Sequence, residues 1–506
     1  MSASVAGLLA QARTAFQAGD LAASTLHFRS VVETPSVSAA VLLEFADVLW
    51  ANFDFEEALQ VLERAARCEP SNPAPIILGA KRLFTLGRFA ESARCLSTAM
   101  ERQPEDRALR RMLAELRDRE GRLAEAEALA REALLNDLHD TLAVRSLAHT
   151  LRRAGRVEDA QELLSRHLAE HPGPEDWRLN YELAACLDRR GDYASAMTAL
   201  QRAKTQLRPA AEPLLRQWRT RSRRREEFAR ALDRTTLERW QALGKQLQPV
   251  TPMAIMAGHP RSGTTLLEQM LAAHSGVAST DETGVLRTQF VEPIVLGAES
   301  ARSALAEVDS FDAAQVEAGR AVYFKATAAH LGEAFGGRLL IEKDPLSTQD
   351  LGFILRLLPE CRVIFPLRDP RDVCVSFFFT LVPLNADSAP ALDLIETCAS
   401  VALSLRLWSH WQRVMPQRWV QVQYEHLVRE PEREMRSLAN ALDLPWEEAM
   451  LAPSSRDARG VRSPTYADVA APLHSRAIGR WRNYAEFLEP VLPILTPLLE
   501  EFGYTP

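Results

Sequence analysis

Cysteines are few in this sequence, and long apolar runs and an excess of basic residues are lacking. The six cysteines form no close-spaced pair that could bind a metal, so we expect no metal site and reduced, mostly buried thiols in a cytosolic protein. They are Cys68, Cys95, Cys186, Cys361, Cys374 and Cys398. No run of about 18 apolar residues occurs, which argues against a transmembrane helix and a membrane partner. The net charge of −7 gives no whole-chain reason to expect nucleic-acid binding.

The N-terminal segment lacks the features of a signal peptide. MSASVAGLLAQARTAF has no basic region before its apolar residues and already repeats them at helical spacing. At 506 residues, with 47% hydrophobic and 25% charged residues, the chain is typical of a soluble protein of two or three domains. We expect a helical repeat array over residues 1–205, a helical cap and linker over 206–250, and an α/β domain over 251–506.

The first 205 residues or so repeat with a period of 34. The positions that predict turns are Gly19, Phe53, Gly87, Gly121, Gly155 and Gly191, at intervals of 34 residues except for a last interval of 36. Five residues after each turn stands a small side chain, at Ser24, Ala58, Ser92, Ala126, Ala160 and Ala196. A small residue at a fixed place lets the two helices of a hairpin approach closely, so the period predicts six helical hairpins.

A 34-residue helix-turn-helix with this pattern resembles the tetratricopeptide repeat (TPR). Such arrays form a solenoid with a concave face that can bind a peptide or protein. Three uses of the array remain open: binding a partner, packing on the neighbouring domain, or pairing two chains into a homodimer.

An arginine-rich stretch lies in the segment between the repeats and the α/β domain. Its arginines are Arg216, Arg219, Arg221, Arg223, Arg224 and Arg225, just before Glu226 and Glu227. One interpretation is a patch that binds anions or acidic peptides. We favour a solvated helix face with local pairs to the glutamates.

The stretch Met253 to Thr265, MAIMAGHPRSGTT, predicts a strand, a glycine loop and a helix start. Gly258 and Gly263 are five residues apart, as in a phosphate-binding loop, but Thr264 stands where that motif has lysine. The loop N–H groups and the helix N-terminus favour an anion. With Arg261 in the turn and hydroxyls at the helix start, the loop predicts a site for a small anion without a metal.

Alternating strand and helix patterns from about Thr251 predict an α/β domain with a mainly parallel sheet. The predicted strands are Met253–Ala257, Leu339–Glu342, Arg362–Leu367 and Val420–Tyr424. Each strand ends at a residue with useful chemistry: the glycine loop, Lys343, Arg368 or Tyr424. Ligands of such sheets bind beyond the carboxyl ends of the strands, so we expect these groups to converge.

Arg368 and Ser376 are predicted to bind a second phosphate. Arg368 ends a strand, Asp369 and Pro370 suit the start of the next helix, and Ser376 falls two turns into it. An arginine at the strand end and a hydroxyl on the helix can hold a phosphate from two sides.

Three motifs together resemble the sulfotransferases that use 3′-phosphoadenosine 5′-phosphosulfate (PAPS). They are PRSGTTLLEQ, the Arg368–Ser376 pair and the late IGRWRNY, and the resemblance spans roughly Met253 to Tyr484. The arginine in the loop and the DET at 281–283 resemble the protein-tyrosine sulfotransferase branch. The resemblance implies a P-loop-like α/β fold, PAPS as the donor substrate and a hydroxyl acceptor.

The resemblance also assigns the donor site residue by residue. Arg261, Ser262, Gly263, Thr264 and Thr265 would hold the 5′-phosphosulfate. Arg368 and Ser376 would hold the 3′-phosphate, Tyr424 would lie near the adenine, and Arg480 near the nucleotide phosphates.

Catalytic roles follow from the same resemblance. Glu282 matches the base that takes the acceptor proton, with Asp281 as a rival one residue away. Lys343 matches the lysine that stabilises charge on the bridging oxygen, and Thr465 falls where the family has a serine with a similar role. Glu268 is expected to face solvent or to cap a contact.

The chain departs from the tyrosine-sulfating pattern at several positions. Gly284 replaces an arginine that helps place an acidic substrate peptide, Thr380 replaces a further phosphate-side arginine, and Asp468-Val469-Ala470 replaces a segment that often carries a basic residue. The acceptor therefore stays open among a peptide or protein, a carbohydrate and a small molecule. Two alternatives to a sulfotransferase are a P-loop kinase or triphosphatase, and a repeat scaffold with an inactive transferase domain.

Overall fold

The computed structural model describes residues 3–34, 37–135, 137–247, 251–332, 335–416, 418–452 and 473–505. The chain forms two compact units that divide between Leu163 and Leu164. The first unit holds most of the repeats. The second holds the last repeat hairpin and the α/β domain.

The repeat region consists of helical hairpins, as the 34-residue period predicts. Its helices are α1 Ala3–Gln17, α2 Leu21–Val32, α3 Ala39–Ala51, α4 Phe55–Cys68, α5 Ala74–Thr85, α6 Phe89–Arg102, α7 Arg107–Arg119, α8 Leu123–Leu135, α9 Thr141–Arg153, α10 Val157–Glu170, α11 Asp176–Arg189 and α12 Tyr193–Ala231. Consecutive helices pair around short turns, and the prediction of a TPR-like helical array is confirmed.

Both repeating positions have the predicted structural role. All six turn residues have a positive φ, between 63° and 83°, a conformation that glycine adopts readily. Phe53 is the one turn residue of the six that is not glycine. All six small residues are buried, and two of them add a bond: the hydroxyls of Ser24 and Ser92 donate to Ala12 O at 2.9 Å and Ala80 O at 2.7 Å.

Helix α12 runs for 39 residues within the second unit, from the last repeat hairpin into the segment predicted as the helical cap. It is continuous across residue 205, so the helical cap predicted for residues 206–250 begins inside it. Helix α13, Arg234–Gly244, follows.

The arginine-rich stretch of α12 is not a solvated face with local partners, so that interpretation is wrong for most of its arginines. Arg225 is buried and forms ion pairs with Asp350 at 2.9 Å and Asp387 at 3.1 Å. Arg221 forms an ion pair with Glu292 at 3.1 Å. Arg219 and Arg224 donate hydrogen bonds to Glu396 and to Glu299 O. The partners lie 71 to 177 residues away along the chain, so local pairing rules did not find them.

The α/β domain contains five parallel strands, which confirms the predicted parallel sheet. They are β1 Met253–Met256, β2 Val277–Ser279, β3 Leu339–Lys343, β4 Arg362–Leu367 and β5 Trp419–Gln423, in the order β2-β3-β1-β4-β5. The sequence analysis missed β2, which has only three residues. The strands β3 and β4 flank β1. Lys343 at the end of β3 and Arg368 just after β4 therefore lie at strand ends on either side of the glycine loop.

Helices surround the sheet. They are α14 Thr264–Ala272, a π-helix Arg287–Leu296, α15 Ala301–Ser310, α16 Ala313–Leu331, α17 Ser347–Leu357, α18 Pro370–Phe379, α19 Leu394–Val414, α20 Tyr424–Arg429, α21 Pro431–Ala441, α22 Ala485–Leu488 and α23 Leu492–Glu501, with short 3₁₀ turns at Ala389–Leu392, Glu448–Leu451, Ser475–Ala477, Arg480–Tyr484 and Glu489–Val491. One apolar core joins β1 and α14 through Met256 and Leu267. None of the helices described here is long and apolar enough to cross a membrane.

Four of the six cysteines are buried, as expected for most of them. They are Cys186, Cys361, Cys374 and Cys398. Cys68 is exposed, and Cys95 is partly buried.

Candidate functional site

The glycine loop, residues 258–263, joins β1 to α14 in a strained conformation. Gly258 and Gly263 have φ values of 136° and 99°, and Arg261 between them has a φ of 78°. The hydroxyl of Thr348 fixes the start of the loop, because it accepts from Gly258 N and donates to Gly258 O, both at 2.7 Å. The loop thus turns tightly into the N-terminus of α14.

Neither loop glycine leaves room for a side chain. A Cβ atom on Gly258 would lie 3.0 Å from Ser262 Oγ, and one on Gly263 would lie 2.6 Å from Cδ2 of the Tyr424 ring. The Tyr424 ring therefore lies directly against the end of the loop. Such close approach to backbone is what a phosphate cradle requires.

Residues that the sequence analysis assigned to the PAPS site come together from four segments of the chain. Arg261 Nε in the loop donates to Ser376 Oγ on α18 at 3.0 Å. Arg368, after β4, donates to Arg261 O at 3.0 Å and stacks over the Tyr424 ring at 4.8 Å. Its other nitrogen donates to Ala477 O. Four residues that the sequence places up to 163 positions apart thus form one cluster, which we call the donor cluster: Arg261, Arg368, Ser376 and Tyr424.

Two buried polar atoms of this region have no hydrogen-bond partner among the described residues. They are Ser262 Oγ in the loop and Arg368 Nε. No side chain caps the N-terminus of α14 at Gly263, and Thr264 and Thr265 are buried at its first two positions. An uncapped helix start beside a hydroxyl and a guanidinium suits an anion, so the residues present fit a phosphate or sulfate group.

A second cluster surrounds Lys343 at the end of β3. Its fully buried ammonium lies 2.8 Å from Glu282 Oε1, 2.9 Å from Asp281 Oδ1 and 3.4 Å from Glu268 Oε2. Burial alone would lower the pKa of the Lys343 ammonium, but the carboxylates around it outweigh burial and raise the pKa well above its usual value. We call these four residues the lysine cluster. Lys343 is held protonated there.

Glu268 does not face solvent, which corrects the first of the two expectations for this residue. Its side chain is buried on α14 and accepts a hydrogen bond from Ser279 Oγ of β2. Burial raises the pKa of the Glu268 carboxyl to about 7, although the nearby Lys343 ammonium opposes this. The expectation failed because Glu268 meets a strand end 75 positions further along the chain.

Glu342 is a buried carboxylate that sequence reasoning missed. It accepts hydrogen bonds from Thr280 at 2.9 Å, Tyr323 at 3.0 Å and Thr283 at 3.3 Å. Burial raises its pKa to about 7. Thr280 and Thr283 flank Asp281 and Glu282, so this carboxylate anchors the loop that carries both candidate bases. A glutamate within the apolar run LLIEK was the available signal.

Arg480 has a partner on the last repeat hairpin. It forms an ion pair with Asp188 of α11 at 3.1 Å and stacks over the Phe379 ring at 4.6 Å. Its predicted place near the nucleotide phosphates stays a prediction. Thr465 and residues 468–470 lie outside the described residues, so the role predicted for Thr465 stays a prediction too.

The segment around Arg480 is bound to α18. Asp372 accepts from Gly479 N at 2.7 Å and Trp481 N at 2.8 Å, and Arg371 stacks on Trp481 at 3.8 Å. Because Arg368 also bonds to Ala477 O, this segment contacts the donor cluster directly.

Gly284, where the tyrosine-sulfating pattern has arginine, lies close to another arginine. A Cβ atom on Gly284 would lie 3.7 Å from Nη2 of Arg287. Arg287 is paired with Asp344 at 2.8 Å and Asp387 at 3.1 Å. Within the described parts of the chain, no group of three or more His, Cys, Asp or Glu side chains could hold a metal ion.

The fold and these clusters define a class: an α/β domain whose phosphate-loop-like turn has threonine in place of lysine and binds to an Arg–Ser pair. Residues 252–448 match the model of the sulfotransferase family, so the chain contains a sulfotransferase family domain. Tetratricopeptide-repeat models match residues 9–73, 49–116 and 145–212, so the N-terminal repeats are of that kind.

Individual relatives are distant. An uncharacterized protein of Aquifex aeolicus (strain VF5) is 27% identical over 327 residues, which are 62% of this chain and 41% of that protein. The protein-tyrosine sulfotransferase 1 of Danio rerio is 26% identical over 273 residues, 50% of this chain and 73% of the relative. The solved sulfotransferase domain of the Synechococcus PCC 7002 olefin synthase is 25% identical, covering 47% of this chain and 96% of the domain with a TM-score of 0.30. The chain thus spans less than half the length of the Aquifex protein.

Proposed function

We propose that this protein is a sulfotransferase that takes PAPS as donor and transfers its sulfuryl group to an acceptor hydroxyl. The products are a sulfate ester and adenosine 3′,5′-bisphosphate. The donor cluster carries the proposal, because Arg261 joins a lysine-free phosphate loop to Ser376 and Arg368. The sulfotransferase family domain over residues 252–448 supports the same conclusion.

The donor would be held by the loop and the donor cluster. Ser262, Thr264 and the N-terminus of α14 suit the 5′-phosphosulfate, since their polar groups are buried at the loop. Arg368 and Ser376 suit the 3′-phosphate. Tyr424, whose ring lies against Arg368 and the end of the loop, is proposed to lie near the adenine. A nucleoside triphosphate fits less well, because Thr264 replaces the lysine that binds its β- and γ-phosphates.

Glu282 is the proposed base. Its carboxylate is half exposed, so an acceptor can reach it, whereas Asp281 is mostly covered. Glu282 takes the acceptor proton while the acceptor oxygen forms its bond to sulfur and the bond from sulfur to the bridging phosphate oxygen breaks. That oxygen keeps the electron pair and leaves with the bisphosphate.

Lys343 is the proposed cation for the leaving oxygen. By analogy with phosphoryl transfer, a loose transition state puts most of the catalytic demand on positioning and charge stabilisation. A lysine held protonated beside the base meets that demand.

The acceptor is proposed only as a hydroxyl compound: a peptide or protein presented by the repeats, a carbohydrate or a small molecule. The repeats support a peptide or protein partner, because TPR arrays present a concave surface.

A calorimetric titration tests the donor site. We expect adenosine 3′,5′-bisphosphate to bind the purified protein, and ATP with Mg²⁺ to bind much more weakly. The reverse order would contradict the proposal and favour a kinase or triphosphatase. Binding of neither would favour the scaffold alternative.

Two matched arginine variants sharpen this test. Arg368→Ala removes a guanidinium from the donor cluster, and Arg362→Ala removes one from the opposite end of the same strand, where it pairs with Asp443. We expect Arg368→Ala to weaken bisphosphate binding roughly 10- to 100-fold while AMP binding changes little, because a charged hydrogen bond is worth about 1.5–3 kcal/mol. Arg362→Ala should bind as the wild type does.

A further inference from the structure

Glu268 stands apart from the other acids of the lysine cluster. Asp281 and Glu282 come from the loop after β2, whereas Glu268 comes from α14, four residues after Thr264. It is 2% exposed, and the Glu282 side chain is 47% exposed. An acceptor can therefore reach Glu282 while Glu268 stays inside the protein.

The two oxygens of Glu268 have different roles. Oε1 accepts the hydrogen bond from Ser279 Oγ, which fixes the carboxylate on β2. Oε2 makes no hydrogen bond within the described residues and points at Lys343 Nζ at 3.4 Å. The carboxylate is thus held on one side and offered to the ammonium on the other.

The ammonium of Lys343 has three N–H groups and three carboxylates around it. In the proposed reaction, Glu282 gains a proton and loses its negative charge. Its attraction for Lys343 then falls at the moment when charge develops on the leaving oxygen. A second fixed carboxylate is needed to keep the ammonium in place.

We propose that Glu268 is a positioning residue that holds the Lys343 ammonium while Glu282 takes up the acceptor proton. Glu268 itself touches neither donor nor acceptor and acts through Lys343. The loss of charge on Glu282 frees an N–H of the Lys343 ammonium for the leaving oxygen, while Glu268 keeps the ammonium in place and protonated. This inference rests on the proposed sulfotransferase function.

A pH profile distinguishes this role from simple packing. The groups that face Glu268 are Lys343 of β3, Ser279 of β2, and Asp281 and Glu282 of the following loop. Since the pKa of Glu268 is about 7, it carries its full negative charge only above that pH. We therefore expect the wild-type rate to fall below about pH 7 as Glu268 becomes protonated.

The main variant is Glu268→Gln, assayed as bisphosphate formation from PAPS with water or glycerol as acceptor, because neither of them ionises near pH 7. We expect the rate at pH 8 to fall by up to about 100-fold, since small misplacements of catalytic groups cost that much. The inflection near pH 7 should disappear, and calorimetric binding of the bisphosphate should be unchanged. The control variant Glu268→Asp keeps the charge, so it should retain the inflection.

A second variant keeps the inference testable if Glu268→Gln does not fold. Ser279→Ala removes the hydrogen bond that lowers the pKa of Glu268, so the inflection should move to higher pH. A wild-type rate from PAPS together with an unmoved inflection in both variants would overturn the role of Glu268. No bisphosphate formation by the wild type, with no bisphosphate binding, would instead overturn the proposed function.

Discussion

Two residues of the site loops, Arg261 and Asp281, hold a left-handed backbone that is uncommon for residues other than glycine, with φ values of 78° and 55°. Such conformations cost about 1–3 kcal/mol each and persist where surrounding contacts hold them. Arg261 is held by Ser376 and Arg368, and Asp281 by Lys343. The strained residues directly precede Ser262 and Glu282, whose side chains the proposed reaction uses.

Single residues were predictable where a local rule applied to them. The turn glycines and the small residues of the repeats follow from the 34-residue period. Glu268 and Arg480 did not follow, because their neighbours are set by tertiary contacts: Arg480 meets Asp188, 292 positions away. The strand-end residues Lys343 and Arg368 were found because parallel strands bring their carboxyl ends to one edge.

Replacing Glu282 tests the proposed base. We expect Glu282→Gln to lower turnover of PAPS by about 10²- to 10⁴-fold, because no base remains there to take the proton of the substrate hydroxyl. Binding of adenosine 3′,5′-bisphosphate, measured by calorimetry, should change little.

The matched control is Asp281→Asn, which removes the neighbouring carboxylate of the same cluster. It should keep more activity than Glu282→Gln. The opposite order would assign the base to Asp281, and loss of bisphosphate binding in Glu282→Gln would make the glutamate structural.

At the scale of elements, helices α12 and α18 are joined by one buried lysine. Lys204 of α12 donates to Tyr181 Oη at 3.2 Å and to Phe378 O at 2.7 Å, and it also bonds to Ala391 O. The ammonium lies 3.8 Å from the centre of the Phe378 ring. Because Phe378 lies in the last turn of the helix that carries Ser376, the last repeat hairpin supports the donor cluster.

Replacing this lysine should lower the stability of the second unit. Lys204→Met leaves two buried carbonyls without their donor, so we expect the free energy of unfolding to fall by about 1–3 kcal/mol or more. Urea unfolding measures this free energy. Lys245→Met, the same change at an exposed position, should have almost no effect.

Elements were predicted best where a strand or helix had a clear period. Four of five strands lie within a residue or so of their predicted ends, and their parallel arrangement was expected. The strand β2 was missed because VAS is too short to show alternation. The contacts of the α12 arginines with distant residues were missed, because a run of arginines on an exposed helix face and one on a buried face have the same sequence pattern.

The whole chain divides at Leu163, so the last repeat hairpin belongs with the α/β domain. The contacts of Asp188 and Lys204 with Arg480 and Phe378 explain this grouping. A truncation that respects the division should keep the donor site, and one that cuts through α12 should not.

Two truncated chains test this. A chain beginning at residue 172 keeps α11 and α12, and we expect it to fold and to bind adenosine 3′,5′-bisphosphate as the full chain does. A chain beginning at residue 206 loses Asp188 and Lys204, so it should unfold at lower temperature and bind more weakly. Equal thermal unfolding and equal calorimetric affinity of the two chains would show that the last hairpin is not needed.

Lys204 also has a consequence for how the protein is made. It leaves the ribosome 174 residues before Phe378, which at about 5–20 residues per second is a wait of roughly 10–35 s. During that time the docking face of the last repeat has no partner to cover it. Until α18 arrives, the ammonium of Lys204 is solvated and charged, so we expect it to disfavour aggregation of the unfinished chain through this face.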